Sequence, residues 1–199
     1  MSVRIFTDSA SDITLQEMEE KQIGLIAMPL LCGEKTYIDD KTIPMTTFWE
    51  MLLDGVNIKT SLPSPECFVK IFEEAKNKKE EVVCILISSG FSGTYQGAML
   101  AKQIVDYDGI HVIDAGHAAA SVAEKMLVIA ACRMRDQGCK AEEIARRLEQ
   151  LRGSVRLIAC LDTLEYLARG GRLPAAVASI GTKLQLKPII VFGENGEIQ

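Results

Sequence analysis

An α/β protein with a mainly parallel sheet and flanking helices, followed by the start of a second α/β domain, is what this sequence predicts. Three observations carry that reading. Short β-branched apolar runs alternate with stretches of helical period as far as residue 153. The run "EVVCILIS" is apolar on both faces, as in a strand covered by helices on either side. Hydroxyl- and glycine-rich loops follow such runs, where an open parallel sheet collects its ligand crevice.

In chain order, "VRIFTDS" is a buried strand ending in polar residues, and Thr14 with Glu17 forms a capping box for a helix over "LQEMEEKQ". "GLIAMPLL" is the next strand, followed by a polar stretch through Tyr37 and Asp39 and a short helix near "TTFWEMLL". Ser64 as N-cap and Pro65 at N1, where a missing N–H costs nothing, open a helix whose Phe68, Ile71, Phe72 and Ala75 recur at helical spacing. "EVVCILIS" feeds "SSGFSGT" and a helix over "TYQGAMLAKQIV". "GIHVIDA" is a further strand, with helices over "SVAEKMLVIAACRMRDQG", stopped by Gly138, and "KAEEIARRLEQL". From Ser154 the pattern changes. "VRLIACLDTLEYLARGGRLP" reads as a strand, a short helix and a basic Gly-rich loop, and "KPIIVFGENGEIQ" as a strand and an Asn-Gly hairpin turn. The expected division is 1–153 for an N-terminal α/β domain carrying the ligand loops and 154–199 for a second domain, incomplete at its C-terminus. The last strand, Glu197 to Gln199, would leave an unpaired edge, so a fragment of a longer protein, or a chain completed by a partner, is expected.

With 199 residues, 48% of them hydrophobic, the chain can bury a sizeable core, which argues against disorder. A net charge of -5 argues against a nucleic-acid binder, which needs a concentrated basic face. The N-terminus lacks an apolar signal region, and no apolar run approaches the roughly 18 residues of a membrane span, so a soluble cytoplasmic protein is expected. Six cysteines are scattered without a C-x-x-C pair, several in apolar runs such as "VVCILI" and "LIACL", and read as buried free thiols.

Three hydroxyl-rich loops stand out: "TDSASD", "KTSLPS" and "SSGFSGT". Ser92, Gly93 and Thr94 at a helix N-terminus offer free backbone N–H groups and the positive end of the helix dipole, which suit a phosphate or carboxylate. The plainer reading makes Ser92 and Ser64 helix caps and Thr60 and Ser61 ordinary loop hydroxyls. As a nucleophile Ser92 fails the G-x-S-x-G elbow, because Thr94 stands where the second glycine belongs, and His117 is the only candidate base. Neither G-x-x-x-x-G-K-[ST] nor G-x-G-x-x-G occurs, which argues against a nucleotide. Asp8, Asp12, Asp114 and Asp162 lie at strand ends, but they are dispersed and cap turns equally well, so no metal is expected. Arg169 and Arg172, around two glycines, suit a ligand carboxylate or a facing acidic surface, or simply flank a solvated turn. On the residues alone a binding protein, a hydrolase or phosphotransferase, and a regulatory adaptor all stay open.

Taken together, "TDSASD", "MPLLCGEKTYIDD", "KTSLPSP", "SSGFSGTYQGA" and "LDTLEYLARGGRL" resemble, in order and over essentially the whole chain, the DegV family of bacterial fatty-acid-binding proteins. That resemblance implies a two-domain α/β protein with no catalytic residues and no cofactor. Its ligand would be a long-chain fatty acid in an apolar tunnel, presented to the catalytic subunit of a fatty acid kinase, with transient membrane contact. Carried over by motif, Thr60 and Ser92 would hold the carboxylate, helped by Ser61, Ser64, Gly93 and Thr94, with Arg169 and Arg172 near the ligand end or the kinase. The chain departs from the family after "VIDA", where "GHAAASVAEK" replaces the usual glycines and serines.

Overall fold

The apolar run at 82–87 lies at the centre of the molecule, every side chain in it buried. The computed structural model describes residues 2–177, 187–194 and 196–199, so Asn195 of the expected turn lies outside the described residues. In chain order the elements are β1 (Val3–Asp8), α1 (Leu15–Lys21), β2 (Ile23–Ile26), β3 (Pro29–Cys32), β4 (Lys35–Ile38), α2 (Met45–Leu53), β5 (Ile58–Thr60), α3 (Pro65–Lys78), β6 (Glu81–Leu86), α4 (Thr94–Val105), β7 (Ile110–Asp114), α5 (Ser121–Asp136), α6 (Ala141–Arg152), β8 (Ile158–Cys160), α7 (Glu165–Arg169) and β9 (Ile189–Val191).

Four strands form the expected parallel sheet in the order β2-β1-β6-β7. Register sets Phe6 beside Cys84 and Cys84 beside Val112, and the two-residue period then sends alternate side chains to opposite faces. Ile5, Val83, Ile85 and Ile113 pack with Leu127 and Val128 of α5 and Ile144 and Leu148 of α6. Phe6, Cys84, Leu86 and Ile110 pack with Phe68 and Phe72 of α3 and Ala98 and Ala101 of α4. Two cores on two faces explain why the central strands read as continuous apolar runs.

Local signals placed the helices. Thr14 and Glu17 form the complete capping box of α1, and Ser64 caps α3 by accepting the Glu66 N–H, with Pro65 at its start. "GLIAMPLL", however, is two strands. β2 ends at Ile26, the Met28 N–H turns to the Ser9 hydroxyl, and Pro29 opens a separate antiparallel sheet, order β4-β3-β5, in which it faces Ile38. A proline cannot continue the parallel ladder, which is why the chain breaks away there.

The C-terminal segment adds an antiparallel pair, β8 with β9, and a hairpin in which Phe192 bridges Ile198 and Val191 and Gln199 exchange hydrogen bonds. Among the described residues, one face of this ribbon is covered and the other is open. Ile190 is buried with Leu164 and Phe192, while Ile158 and Ile189 are 65% and 68% exposed. That corrects the expectation for the cysteines. All six are free and Cys32, Cys84 and Cys132 are buried, but Cys160 lies on the open face of β8, and Cys67 is exposed in the first turn of α3. Among the described residues, no helix is long and apolar enough to cross a membrane.

Candidate functional site

β1 connects to β2 on one side and adjoins β6 on the other, so the strand order reverses at the β1/β6 boundary. An open α/β sheet has its crevice at such a boundary, beyond the strand C-termini. Asp8, the last residue of β1, joins two loops there: its carboxylate accepts the Ala10 N–H at 2.9 Å and the Ile87 N–H at 2.8 Å. Burial is the main cause that lifts its pKa from 3.8 to about 6, against the pull of those two N–H groups and the Lys41 ammonium. Asp114, ending β7, likewise accepts N–H groups from Ser89 and Gly116. These acids organise loops, and among the described residues no cluster of three or more His, Cys, Asp or Glu is arranged to hold a metal.

Ala10 and Ile87, whose N–H groups Asp8 accepts, line a cavity of about 380 Å³. Its polar lining is Thr60 and Ser61 from the end of β5, Ser92 from the loop after β6, and Arg172. Its apolar lining is Ala10, Met28, Leu62, Ile87, Phe91 and Ala120. Four of the eight residues expected from the sequence therefore share one cavity. Gly93 lines an adjoining cleft of about 490 Å³ with Ser89, Ser92 and Arg172. Thr94 is buried beneath, its hydroxyl 2.9 Å from that of Ser92. Ser64 and Arg169 lie outside both: Ser64 is the exposed cap of α3, and Arg169 forms an exposed ion pair with Glu165.

Two features make this end of the cavity electropositive. Gly93 at the start of α4 has no side chain to cap the helix; the Ser92 hydroxyl accepts the Thr94 N–H at 3.4 Å, so the positive end of the helix dipole lies against Ser92. Arg172 is half-buried, donates from Nε to the Phe91 carbonyl at 3.2 Å and lies over the Phe91 ring. Phe91 in turn meets Phe192 edge-on at 5.6 Å, so the Ser92 loop is clasped by the C-terminal hairpin. His117 has no bond to Ser92. Its ring lines a separate cavity with Arg156, and Nδ1 lies 3.5 Å from the Phe192 carbonyl. The apolar lining was missed in the sequence because Met28, Leu62 and Ile87 look there like any core residue. Phe91, inside "SGFSG", was the one available signal.

The model of the family described as uncharacterised proteins of the DegV family matches residues 2–199. The chain belongs to the DegV family. A DegV domain-containing protein of Caldanaerobacter subterraneus is 35% identical over 197 residues, covering 99% of this chain and 69% of that protein. Among solved structures, a fatty-acid-binding DegV family protein of Thermus thermophilus superimposes with a TM-score of 0.86 at 31% identity, over all of this chain and 70% of its own. DegV of Bacillus subtilis, a fatty-acid-binding protein, gives 0.85 at 31% identity, again over all of this chain and 70% of its own. A stearic-acid-binding protein of Eubacterium ventriosum gives 0.86 at 31% identity, over all of this chain and 69% of its own. DegV homologues thus bind fatty acids, and the α/β fold with its parallel sheet is theirs.

In this DegV chain the clasp on the Ser92 loop depends on one glycine. Gly196 has φ +80°, and a Cβ there would overlap the side chain of the buried Ser88. Ser88 matters to the site because its carbonyl accepts the N–H groups of Phe91 and Ser92. Gly196→Ala adds left-handed strain of roughly 1–2 kcal/mol. It is expected to speed amide exchange at Gly193 and Gln199 about tenfold, and unchanged exchange would show that the hairpin accommodates the methyl group.

Proposed function

We propose that this chain binds a long-chain fatty acid in an apolar cavity, with the carboxylate held by Thr60, Ser61, Ser92 and Arg172, and presents that head group to a fatty acid kinase. The observation that carries the reading is the meeting of three hydroxyls and one guanidinium from distant segments in a cavity whose remaining lining is apolar. The fatty acids bound by its structural relatives support the same ligand class.

Burying about a dozen methylenes at ~0.8 kcal/mol each contributes on the order of 10 kcal/mol. Association costs roughly 4–15 kcal/mol, so affinity depends on a preformed apolar cavity. The carboxylate adds little net energy, because its desolvation offsets its hydrogen bonds. Its role is orientation. Arg172 borders both the cavity and the polar cleft beside it, so a carboxylate there faces an opening through which a phosphoryl donor reaches it. Gly93 and Thr94 shape the helix end, and exposed Arg169 is a contact for the kinase. The chain acts as a non-catalytic carrier in the cytoplasm, in passing contact with membranes. Among the described residues no base is bonded to Ser92, whose hydroxyl meets that of Thr94, which favours this over a hydrolase.

Native and denaturing mass spectra of protein purified from a bacterial host test the reading. The expected result is a stoichiometric adduct that denaturation releases as a long-chain fatty acid. A ligand-free chain that also fails to take up added oleate would overturn it. Presentation is tested by supplying a kinase catalytic subunit and ATP to the oleate-loaded chain, with acyl phosphate as the expected product.

A further inference from the structure

Between Met28 and Pro63, both buried, the chain builds β3, β4, α2 and β5, yet Cys32 is the one buried residue from Pro29 to Leu62. The composition of this lobe does not explain that. Met45, Trp49 and Leu53, spaced four residues apart along α2, are 67%, 59% and 85% exposed. Leu30, Ile43, Phe48 and Ile58 face Ile13 and Leu15 of the parallel-sheet body across a cavity of about 710 Å³. That cavity is an open groove that also carries Ser9, Asp12, Asp39 and Lys41, so the apolar groups on its two sides face solvent instead of packing on one another, and the lobe is weakly attached to the body.

Among the described residues, one side-chain hydrogen bond beyond the hinge ties lobe to body. The Lys41 ammonium donates to the Ser9 carbonyl at 2.6 Å and is paired within the lobe to Asp39 at 3.2 Å. Lys41 itself has φ +67°, a left-handed conformation that costs a non-glycine residue free energy and persists only where surrounding contacts hold it. Ser9 directly follows Asp8 at the end of β1, so the tether ends at the rim of the crevice. The two ends of the lobe move together, because the Ser61 N–H donates to the Pro29 carbonyl at 2.9 Å. The lobe also supplies Thr60, Ser61 and Leu62 to the head-group cavity.

We infer that the lobe from Pro29 to Leu62 is a hinged gate over the head-group cavity, pinned shut by Lys41 on the Ser9 carbonyl, and that ligand enters and leaves when it opens. The identity of what passes rests on the fatty-acid-carrier reading; the opening itself does not. Segments with few buried apolar contacts open at low free energy, and a ligand that bonds Thr60 and Ser61 only in the closed form shifts the population towards closure.

Hydrogen exchange on the full chain, with and without oleate, and the dissociation rate of a fluorescent long-chain fatty acid test the gate. Amides of β4, α2 and β5 are expected to exchange roughly a hundredfold or more faster than those of β1 and β6, and to slow when oleate is added. Lys41→Met is expected to raise both lobe exchange and probe dissociation about tenfold, and Lys41→Arg to restore both. Lobe amides as protected as those of β6, or a Lys41→Met chain that binds the probe and releases it at the wild-type rate, would overturn the gate. Failure of wild type and variants alike to bind the probe overturns the carrier reading instead, and the exchange comparison in the free chain then still decides whether the lobe opens.

Discussion

Thr60→Ala combined with Ser92→Ala is expected to weaken the binding of a fluorescent long-chain fatty acid by roughly a hundredfold or more, with little change in thermal midpoint. Hydrogen bonds to a charged group contribute about 1.5–3 kcal/mol each, and 1.4 kcal/mol is a factor of ten in affinity. Removing two hydroxyls also leaves the carboxylate desolvated without partners, which raises the loss towards the upper end. The fold is expected to tolerate both changes, because Thr60 is exposed, Ser92 is half-buried, and neither belongs to the two cores that cover the sheet. Thr60→Ala is expected to stay within about 0.5 kcal/mol, and Ser92→Ala to cost about 1 kcal/mol through the lost contacts of its hydroxyl with the Thr94 hydroxyl and N–H, a small drop in midpoint. Titration of the probe, with a melting curve of the unliganded variant beside it, separates the two effects. Wild-type affinity in the double variant would sink the head-group assignment. Ser64→Ala is the control: it removes the cap of α3, about 1 kcal/mol of stability, and leaves affinity alone, because Ser64 lies outside the cavity.

That contrast between Ser64 and Ser92 shows which parts of the site could be read in advance. Both serines precede a helix in a hydroxyl-rich loop, and a one-dimensional pattern treats them alike. Ser64 was legible as a cap because capping is decided by the next two residues. Ser92 belongs to a cavity only because β5, which ends 32 positions before it in the β4-β3-β5 sheet, brings Thr60 to the same cavity, and pairing of that kind leaves no local trace. The same sheet was the largest omission from the fold. Lys35–Ile38 reads as a polar stretch because its side chains stay exposed or half-buried, so the alternation that marks a one-sided strand never develops. The parallel sheet, by contrast, was legible as a class, because strands buried on both faces are continuous apolar runs with helices between them; its strand order and the end of β2 at Ile26 were not. Arg169 and Arg172 separate for a reason the motif hides, since α7 ends between them and only the residue after the turn points back to Phe91.

One buried acid was invisible at the sequence level, and it sets the pH response of the fold. Glu124 stands in the first turn of α5, fully buried, with one carboxyl oxygen accepting the Thr7 hydroxyl at 3.1 Å and the other without a partner among the described residues. Burial first, and then the nearby Asp8 charge, raise its pKa well above the ordinary carboxylate range; Asp12 adds to this, while the Thr7 hydroxyl and Lys41 oppose it. Asp8, reaching about 6, moves in the same direction. In both cases the folded chain holds its proton to higher pH than the unfolded chain does, so stability is greatest at acid pH and falls as pH rises through the window between the unfolded and folded values. For Asp8 that window runs from 3.8 to about 6 and costs roughly 3 kcal/mol by neutral pH. The Glu124 part extends the decline above it. A chain of this size shifts its midpoint by about 2–4 °C per kcal/mol, so melting curves between pH 5 and pH 9 resolve the effect. Glu124→Gln keeps the shape and the acceptor for Thr7 but cannot ionise. It is expected to melt near the wild-type temperature at pH 5 and above it at pH 9, with a flatter profile throughout, because only the Asp8 contribution remains. Parallel profiles for the two chains would mean that water reaches Glu124 and that its carboxylate is solvated in the folded state. A flatter profile would establish that Glu124, bonded to Thr7 near the end of β1, keeps its proton in the folded chain into the neutral range.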